Sequence, residues 1–318
     1  AAFFPKGWEK PVSKALSQAA QGWLLAEASF CLMSLGRMTE AVEPIRATVK
    51  LFEKLKDWKN AAVTARNLVD LLLPLGQLKE AKQAAEQAID FADRTDDWSR
   101  QMISRTKLAT TLHRQGELAA ALKQFEEAEK IQKESQPEHP KLYSLRGAQY
   151  CALLLDLAKD GAAQEAVLER GQTTLKWADN FSFLLDIALD HLTIARALFS
   201  LQRFDQAKDE FDQAVSGGRK AGRIDHFPEF LLKRAKFHCQ QKDFKQSQAD
   251  LDEAQEIIVR CGMKLYAADA ALLQGNLNLD QDKPAHSEYQ MAKKLIEETG
   301  YHLRDGALQV LMERLAVF

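Results

Sequence analysis

The side chains in this 318-residue chain that could do covalent or metal chemistry are few, and they are spaced badly for it. His238 and Cys239 form the one adjacent thiol–imidazole pair. Neighbours on a helix point about 100° apart, so this pair does not face itself and reads as structural. The cysteines Cys31, Cys151, Cys239 and Cys261 give no Cys-x-x-Cys spacing. Isolated thiols at helical positions are expected to be small core residues. His113, His191, His226 and His286 show no ligand spacing. A phosphate loop, a His-Glu-x-x-His helix and a Gly-x-Ser-x-Gly elbow are all missing from the sequence. No catalytic residue, metal or cofactor is therefore assigned. The remaining candidate chemistry is recognition by aromatic and charged side chains, which depends on the elements that carry them.

Those elements repeat. Gly36, Gly76 and Gly116 lie 40 residues apart and open near-copies of one phrase: Leu35-Gly36-Arg37-Met38-Thr39-Glu40-Ala41, Leu75-Gly76-Gln77-Leu78-Lys79-Glu80-Ala81 and Gln115-Gly116-Glu117-Leu118-Ala119-Ala120-Ala121. A fixed period of this size marks a stacked repeat protein. Each unit reads as two amphipathic helices around a tight turn. Asp57 is placed to cap a helix from Trp58 to Leu75, Gly76 to end it in the left-handed conformation, and Leu78 to Thr95 to form the partner. Ala81, Ala84, Ala85 and Ala88 share one face of that partner, where small side chains let helices approach closely. Trp58 and Trp98, each after an Asp, are expected to staple the first turn of their helices onto the preceding hairpin. Trp23 and Trp177 are equally candidates for core.

The pattern continues with drift. Turns at Gln202 and Lys242 replace the glycine, the fourth unit turns near Gly161, and the seventh keeps Ala285, Tyr289 and Ala292. Between Gln132 and Leu142, Pro137 and Pro140 predict a stiff loop and a kink. The stretch Ser216 to Arg223 is glycine-rich and basic. It reads as a helix end with cations near the C-terminal dipole, with an anion-binding loop as the alternative. A final helix near His302–Val317 has no partner behind it and is expected to cap the stack.

A net charge of −2 argues against a nucleic-acid footprint. The most apolar stretch, Phe181 to Leu201, is interrupted by Asp186, Asp190, His191 and Arg196, which excludes a membrane span. The start, Ala1 to Lys6, lacks the features of a secretion signal. Free thiols fit a reduced, cytoplasmic setting. The absence of an initiator Met is what a piece of a longer protein would show.

The turn glycine, the apolar residue two positions on, the Ala five after the glycine, a bulky residue four further and a second Ala resemble the tetratricopeptide repeat family. Gly116, Leu118, Ala121, Phe125 and Ala128 carry this best, and the resemblance runs from about Val12 to Gly300. Units near 40 residues exceed the family's usual 34. The resemblance implies an all-α, right-handed superhelical solenoid of about seven antiparallel helix pairs with a C-terminal capping helix. It would form one domain: a leading segment at 1–11, repeats at 12–300 and the cap at 301–318. In the family the first helix of each pair lines a concave groove. That register puts Trp23 and Phe30 (first unit), Arg66 and Asp70 (second), Thr110 and His113 (third), Arg196 and Phe199 (fifth), and Lys233 and Lys236 (sixth) in the groove. A lining that turns more basic toward the sixth unit suits a protein or peptide partner with an acidic portion. The chaperone-binding carboxylate clamp of this family does not fit, since Ala26, Phe30 and Ile103 occupy positions where it needs polar or charged groups, and only Asn67 and Lys107 match.

Lys56-Asp57-Trp58-Lys59-Asn60-Ala61-Ala62, the repeated Ala-Asp of Ala92-Asp93 and Ala178-Asp179, and Leu142-Tyr143-Ser144-Leu145-Arg146-Gly147 are similar to the sensor arrays of bacterial signal-transduction NTPases with numerous domains. That similarity implies a partner-sensing module whose effector domain lies outside this chain. Two other settings stand beside it. One is a free-standing regulator that senses a peptide, although the stretch before Val12 leaves little room for a DNA-binding domain. The other is an array that controls an attached caspase-like protease.

Overall fold

The computed structural model describes residues 7–8, 16–181 and 183–317, leaving aside the side chains of 179–181. The leading segment, the start of the resemblance at Val12 and the side chain of Asp179 fall outside that range. The described residues form helices without strands. They pair as α1 (Gln18–Ser34) with α2 (Met38–Lys54), α3 (Trp58–Leu72) with α4 (Leu78–Asp93), α5 (Trp98–Arg114) with α6 (Leu118–Ser135), and α7 (Ser144–Leu157) with α8 (Gly161–Phe181). Next come α9 (Leu184–Ser200) with α10 (Phe204–Ala221), α11 (Phe227–Gln240) with α12 (Phe244–Cys261), and α13 (Lys264–Leu279) with α14 (His286–Thr299). A one-turn 3-10 helix (His302–Arg304) and α15 (Asp305–Val317) end the array.

Local rules account for the boundaries. Asp57, Asp97 and Asp243 each accept a hydrogen bond from the backbone N–H three residues on, at 3.0–3.2 Å, and so start α3, α5 and α12. At the end of α3, the Gly76 N–H donates to Leu73 O and the Gln77 N–H to Leu72 O, both at 3.0 Å. This doubled bond satisfies two carbonyls that the helix end would leave open. The same pair recurs at the turns holding Gly36, Gly116, Gln202, Lys242 and Asp282. The last three keep a left-handed backbone, φ 55–60°, without being glycine. The fourth turn departs: Ala158 is extended and α8 starts directly at Gly161. Ser216–Arg223 is the last turn of α10 and its exit, closed by Gly222 at φ 66°.

The alanine face of α4 is fully or nearly fully buried at Ala81, Ala84, Ala85 and Ala88. Trp58 differs from its expected contact. It stacks on Phe91 at 5.9 Å under the Arg94 guanidinium, so it staples the following helix α4 of its own pair rather than the preceding one. Trp177 packs edge-on against His139 at 4.8 Å. Trp23 is not core, being 62% exposed on α1. The proline loop is anchored at both ends. The Leu142 N–H donates to Glu129 at 2.8 Å, and Arg170 bonds both Glu129 and the Leu142 carbonyl.

The array closes on itself. A Cβ added at Gly36 would lie 3.2 Å from Cys261 Sγ, at the end of α12. One at Gly76 would overlap the Thr299 methyl and lie 3.1 Å from Lys264 Cβ, and one at Gly116 would sit 3.3 Å from the His302 backbone. The Leu265 N–H donates to Pro74 O at 3.2 Å, which seals the second turn to the seventh unit. The first three turns thus pack against the chain's last units, whereas Gln202, Lys242 and Asp282 are exposed. At these three turns glycine sits where a second segment lies within contact distance of a Cβ, and the three non-glycine turns are exposed.

Gly76→Ala should therefore cost more than Gly222→Ala, where a Cβ meets open space. Both introduce left-handed strain of about 1–2 kcal/mol, and only the first adds overpacking of about 1–3 kcal/mol. Urea denaturation measures both, and Thr299→Ser should recover the overpacking part in the Gly76→Ala background.

Candidate functional site

The concave side of the array encloses a cavity of about 610 Å³. Its walls come from α7, α9, α11 and α13, with the 3-10 helix and α15 across one end. A smaller cavity of about 70 Å³ adjoins it, lined by α3, α5, α7, α9, α11 and α13. Arg196 and Glu229 line both.

One part of the large cavity is apolar. Phe199 stands edge-on to Phe237 at 5.5 Å and to Phe211 at 6.3 Å, and Leu155, Leu232, Leu272 and Leu273 continue that surface. The rest is charged, with every carboxylate already partnered. Asp156 meets His113 Nε2 at 2.8 Å. Asp269 accepts from Arg304 and, at 3.2 Å, from the Tyr301 hydroxyl. Asp280 accepts from Arg314 and, at 3.4 Å, from the Cys239 thiol. Glu229 lies 3.7 Å from Arg114, whose guanidinium also donates to Tyr301 Oη at 3.3 Å. Arg196, Lys233 and Lys236 line the same cavity without a close ion pair of their own, and Asp156, Glu229 and Asp269 act on them only at longer range.

This imbalance shows in the protonation equilibria. Burial, reinforced by Arg196 and Arg304, pushes Lys233 down to about 7 against the pull of Asp269 and Glu229. Lys236 is also lowered, by the surrounding walls and the same two guanidiniums, though its ammonium remains in the solvent of the cavity. Burial likewise lowers His113 despite its bond to Asp156. Asp156 itself stays well below the usual carboxylate range, because His113 and Arg196 outweigh its desolvation. Cys239 is pushed up to about 12 by burial and by Asp280, and Cys151 up to about 11 by burial. Both thiols are held protonated, which removes them as nucleophiles near neutrality. His238 is buried beside Phe237 and 3.9 Å from Asp243, away from Cys239's partner. Among the described residues, no three His, Cys, Asp or Glu side chains converge to hold a metal. Nor is any helix there long and apolar enough to cross a membrane.

The residues singled out in the sequence fall into three groups. Arg196, Phe199, Lys233 and Lys236 meet at the large cavity. Asp70, Thr110, His113 and again Arg196 line the small one, where Asp70 accepts from Lys107 at 2.6 Å and Thr110 bonds Gln149 at 3.0 Å. Arg66 lies outside both, with its Nη1 buried and unbonded beside Arg100 and Arg146, and burial lowers it to about 10. Trp23 and Phe30 (59% exposed) sit on α1 and line neither cavity. Asp269, Tyr301, Arg304 and Arg114 were not legible as site residues. They belong to one cluster only because the end of the chain folds back over the third unit.

Residues 102–140 match the tetratricopeptide repeat family model. No curated protein sequence matches the chain significantly. Among solved structures, the fold is similar to a Rap protein complexed with Competence and Sporulation Factor (TM-score 0.56, 11% identity, 95% of this chain and 98% of that one). It is also similar to the Rap conjugation gene regulator of plasmid pLS20 in complex with the Phr* peptide (0.59, 12%, 96% and 80%). A tetratricopeptide repeat protein from Parabacteroides merdae aligns at TM-score 0.48 and 14% identity over 93% of this chain and 98% of that one. The chain thus has the fold of a tetratricopeptide-repeat-like helical solenoid, with the family's repeat matched at residues 102–140.

Lys233→Met should stabilise the protein at pH 6, by on the order of 1–3 kcal/mol, by removing a crowded cation. The folded-state pKa lies below the unfolded one, so the wild-type penalty is full below pH 7 and fades as pH rises toward the unfolded value. The gain in melting temperature over wild type should accordingly shrink between pH 7 and 9.5.

Proposed function

We propose that the chain is a peptide- or protein-binding scaffold whose ligand, a short segment of polypeptide, occupies the large cavity of the concave groove. The observation that carries this reading is the cavity itself. At about 610 Å³ it is of ligand-binding size, with an apolar part beside a charged part in which Glu229, Asp269 and Asp280 pair with arginines and the cations outnumber the carboxylates. An enzyme reading has no support in side chains with matched acid, base or nucleophile roles. The likeness to two Rap proteins solved with peptides bound adds support for a peptide as ligand.

As for its setting, the likeness to the Rap conjugation gene regulator favours a peptide-sensing regulator. The phrases resembling the NTPase sensor arrays have a packing explanation: Asp57 caps α3, Trp58 stacks on Phe91, and Leu142 anchors the proline loop. They support that attachment less than they did as bare sequence, and an effector outside this chain remains a proposal on them alone.

The test is affinity selection from a random heptapeptide pool, read by mass spectrometry. Wild type should retain a defined subset, and Arg196→Glu with Lys236→Glu should lose at least about tenfold of it while keeping its melting temperature within a few degrees. A lost buried charge contact of about 1.4 kcal/mol corresponds to that factor. No enriched subset, or one indifferent to these substitutions, would remove the groove as the binding site.

A further inference from the structure

We infer that Arg196, Lys233 and Lys236 form an anion-recognition point in the groove, and that the occupant is a peptide with a carboxylate seated there and an apolar side chain held against Phe199, Leu232, Leu272 and Leu273. This rests on the peptide reading above and names the chemistry of the ligand.

Three observations converge on it. The first is placement. Lys233 and Lys236 are three residues apart and so share one face of α11, and Arg196 stands opposite them on α9. All three line the same cavity. The second is what remains after pairing. Of the wall carboxylates, Glu229, Asp269 and Asp280 pair with Arg114, Arg304 and Arg314, whereas Asp156 bonds His113, which burial keeps toward its neutral form, so one carboxylate charge stands against the three cations. Three cations facing one unneutralised carboxylate leave a surplus of positive charge in which Arg196 and Lys233 repel each other, and an incoming anion relieves that repulsion. The third is the apolar surface beside them, which water solvates poorly and a bulky side chain would cover.

The same wall carboxylates limit the anion's charge. With the Asp156 charge facing the three cations and Lys233 titrating near neutrality, the surplus suits a singly charged carboxylate better than a phosphate dianion. The groups facing Lys233 are Arg196 from α9, Glu229 from its own helix, Asp269 from α13, Arg304 from the 3-10 helix and Asp156 from α7. An anion bound among them favours the protonated ammonium, so binding takes up a proton near neutrality and weakens as pH rises.

The test has two arms. In the first, saturation-transfer NMR compares N-acetyl-leucine with N-acetyl-leucinamide. The free acid should bind at least tenfold better than the amide, several-fold better at pH 6 than at pH 9, and no better than the amide in the Lys233→Met, Lys236→Met double variant. Equal binding of acid and amide, binding of neither, or an acid preference that survives the double variant would overturn the inference. In the second arm, heptapeptide pools differing only in one Glu, Gln, Lys or phosphoserine are retained on the protein. Enrichment of the Glu pool at least tenfold over the Gln pool is expected. Equal retention of Glu and Gln pools, or preference for the Lys or phosphoserine pool, would overturn the carboxylate while leaving the peptide reading standing. Retention of no pool, with the acid preference of the first arm intact, would overturn the peptide reading and leave the anion point.

Discussion

Close packing of the first three inter-helix turns against the final units of the chain is the constraint on which the rest of the structure depends. A helical-repeat array is held mainly by contacts between neighbouring repeats. Here the turns at Gly36, Gly76 and Gly116 meet Cys261, Thr299 with Lys264, and His302. The backbone bond from Leu265 to Pro74 and the buried Tyr301, bonded to both Arg114 and Asp269, make this a sealed contact between distant parts of the chain. Only glycine allows so close an approach at a left-handed turn, since a side chain would add both strain and overlap.

Closure also creates the electrostatics of the groove. It carries Asp269, Tyr301 and Arg304 to the side of the array where α5 and α11 hold Arg114 and Glu229. Glu229, Asp269 and Asp280, which would otherwise neutralise the basic face of α9 and α11, are matched to Arg114, Arg304 and Arg314. Arg196, Lys233 and Lys236 are left facing the cavity without an ion pair of their own, and burial together with Arg196 and Arg304 brings Lys233 down to about 7. One architectural contact thus both shapes the cavity and sets its charge.

The fold was legible in the sequence because it is written locally. Capping aspartates, turn residues and alanine faces act within one unit, and their period gave the helix pairs and the capping helix. Within the groove, the register placed Arg196, Phe199, Lys233 and Lys236 in the residues that line the large cavity. Two things escaped. Trp23 and Phe30 share the register of groove residues but line neither cavity, because position in a repeat says nothing about which rungs face one another after closure. Tyr301, Asp269 and Arg304 bond one another within about one repeat, but their link to Arg114, 187 residues before Tyr301, lies beyond any local pattern. The substitution of Gln202 and Lys242 for the turn glycine reads in sequence as decay of the repeat. In the structure those two turns keep the same left-handed backbone and the same doubled hydrogen bond, with their side chains exposed.

Closure is most directly tested by a distance. Nitroxide labels at Lys79→Cys on α4 and Glu297→Cys on α14, both exposed sites, in a Cys31→Ser background, report the separation of the second and seventh units by double electron–electron resonance. A closed array requires one short, narrow distance distribution in the protein without ligand. A broad distribution reaching to long distances would show an open array, and would contradict both the sealed contact and the cavity built on it.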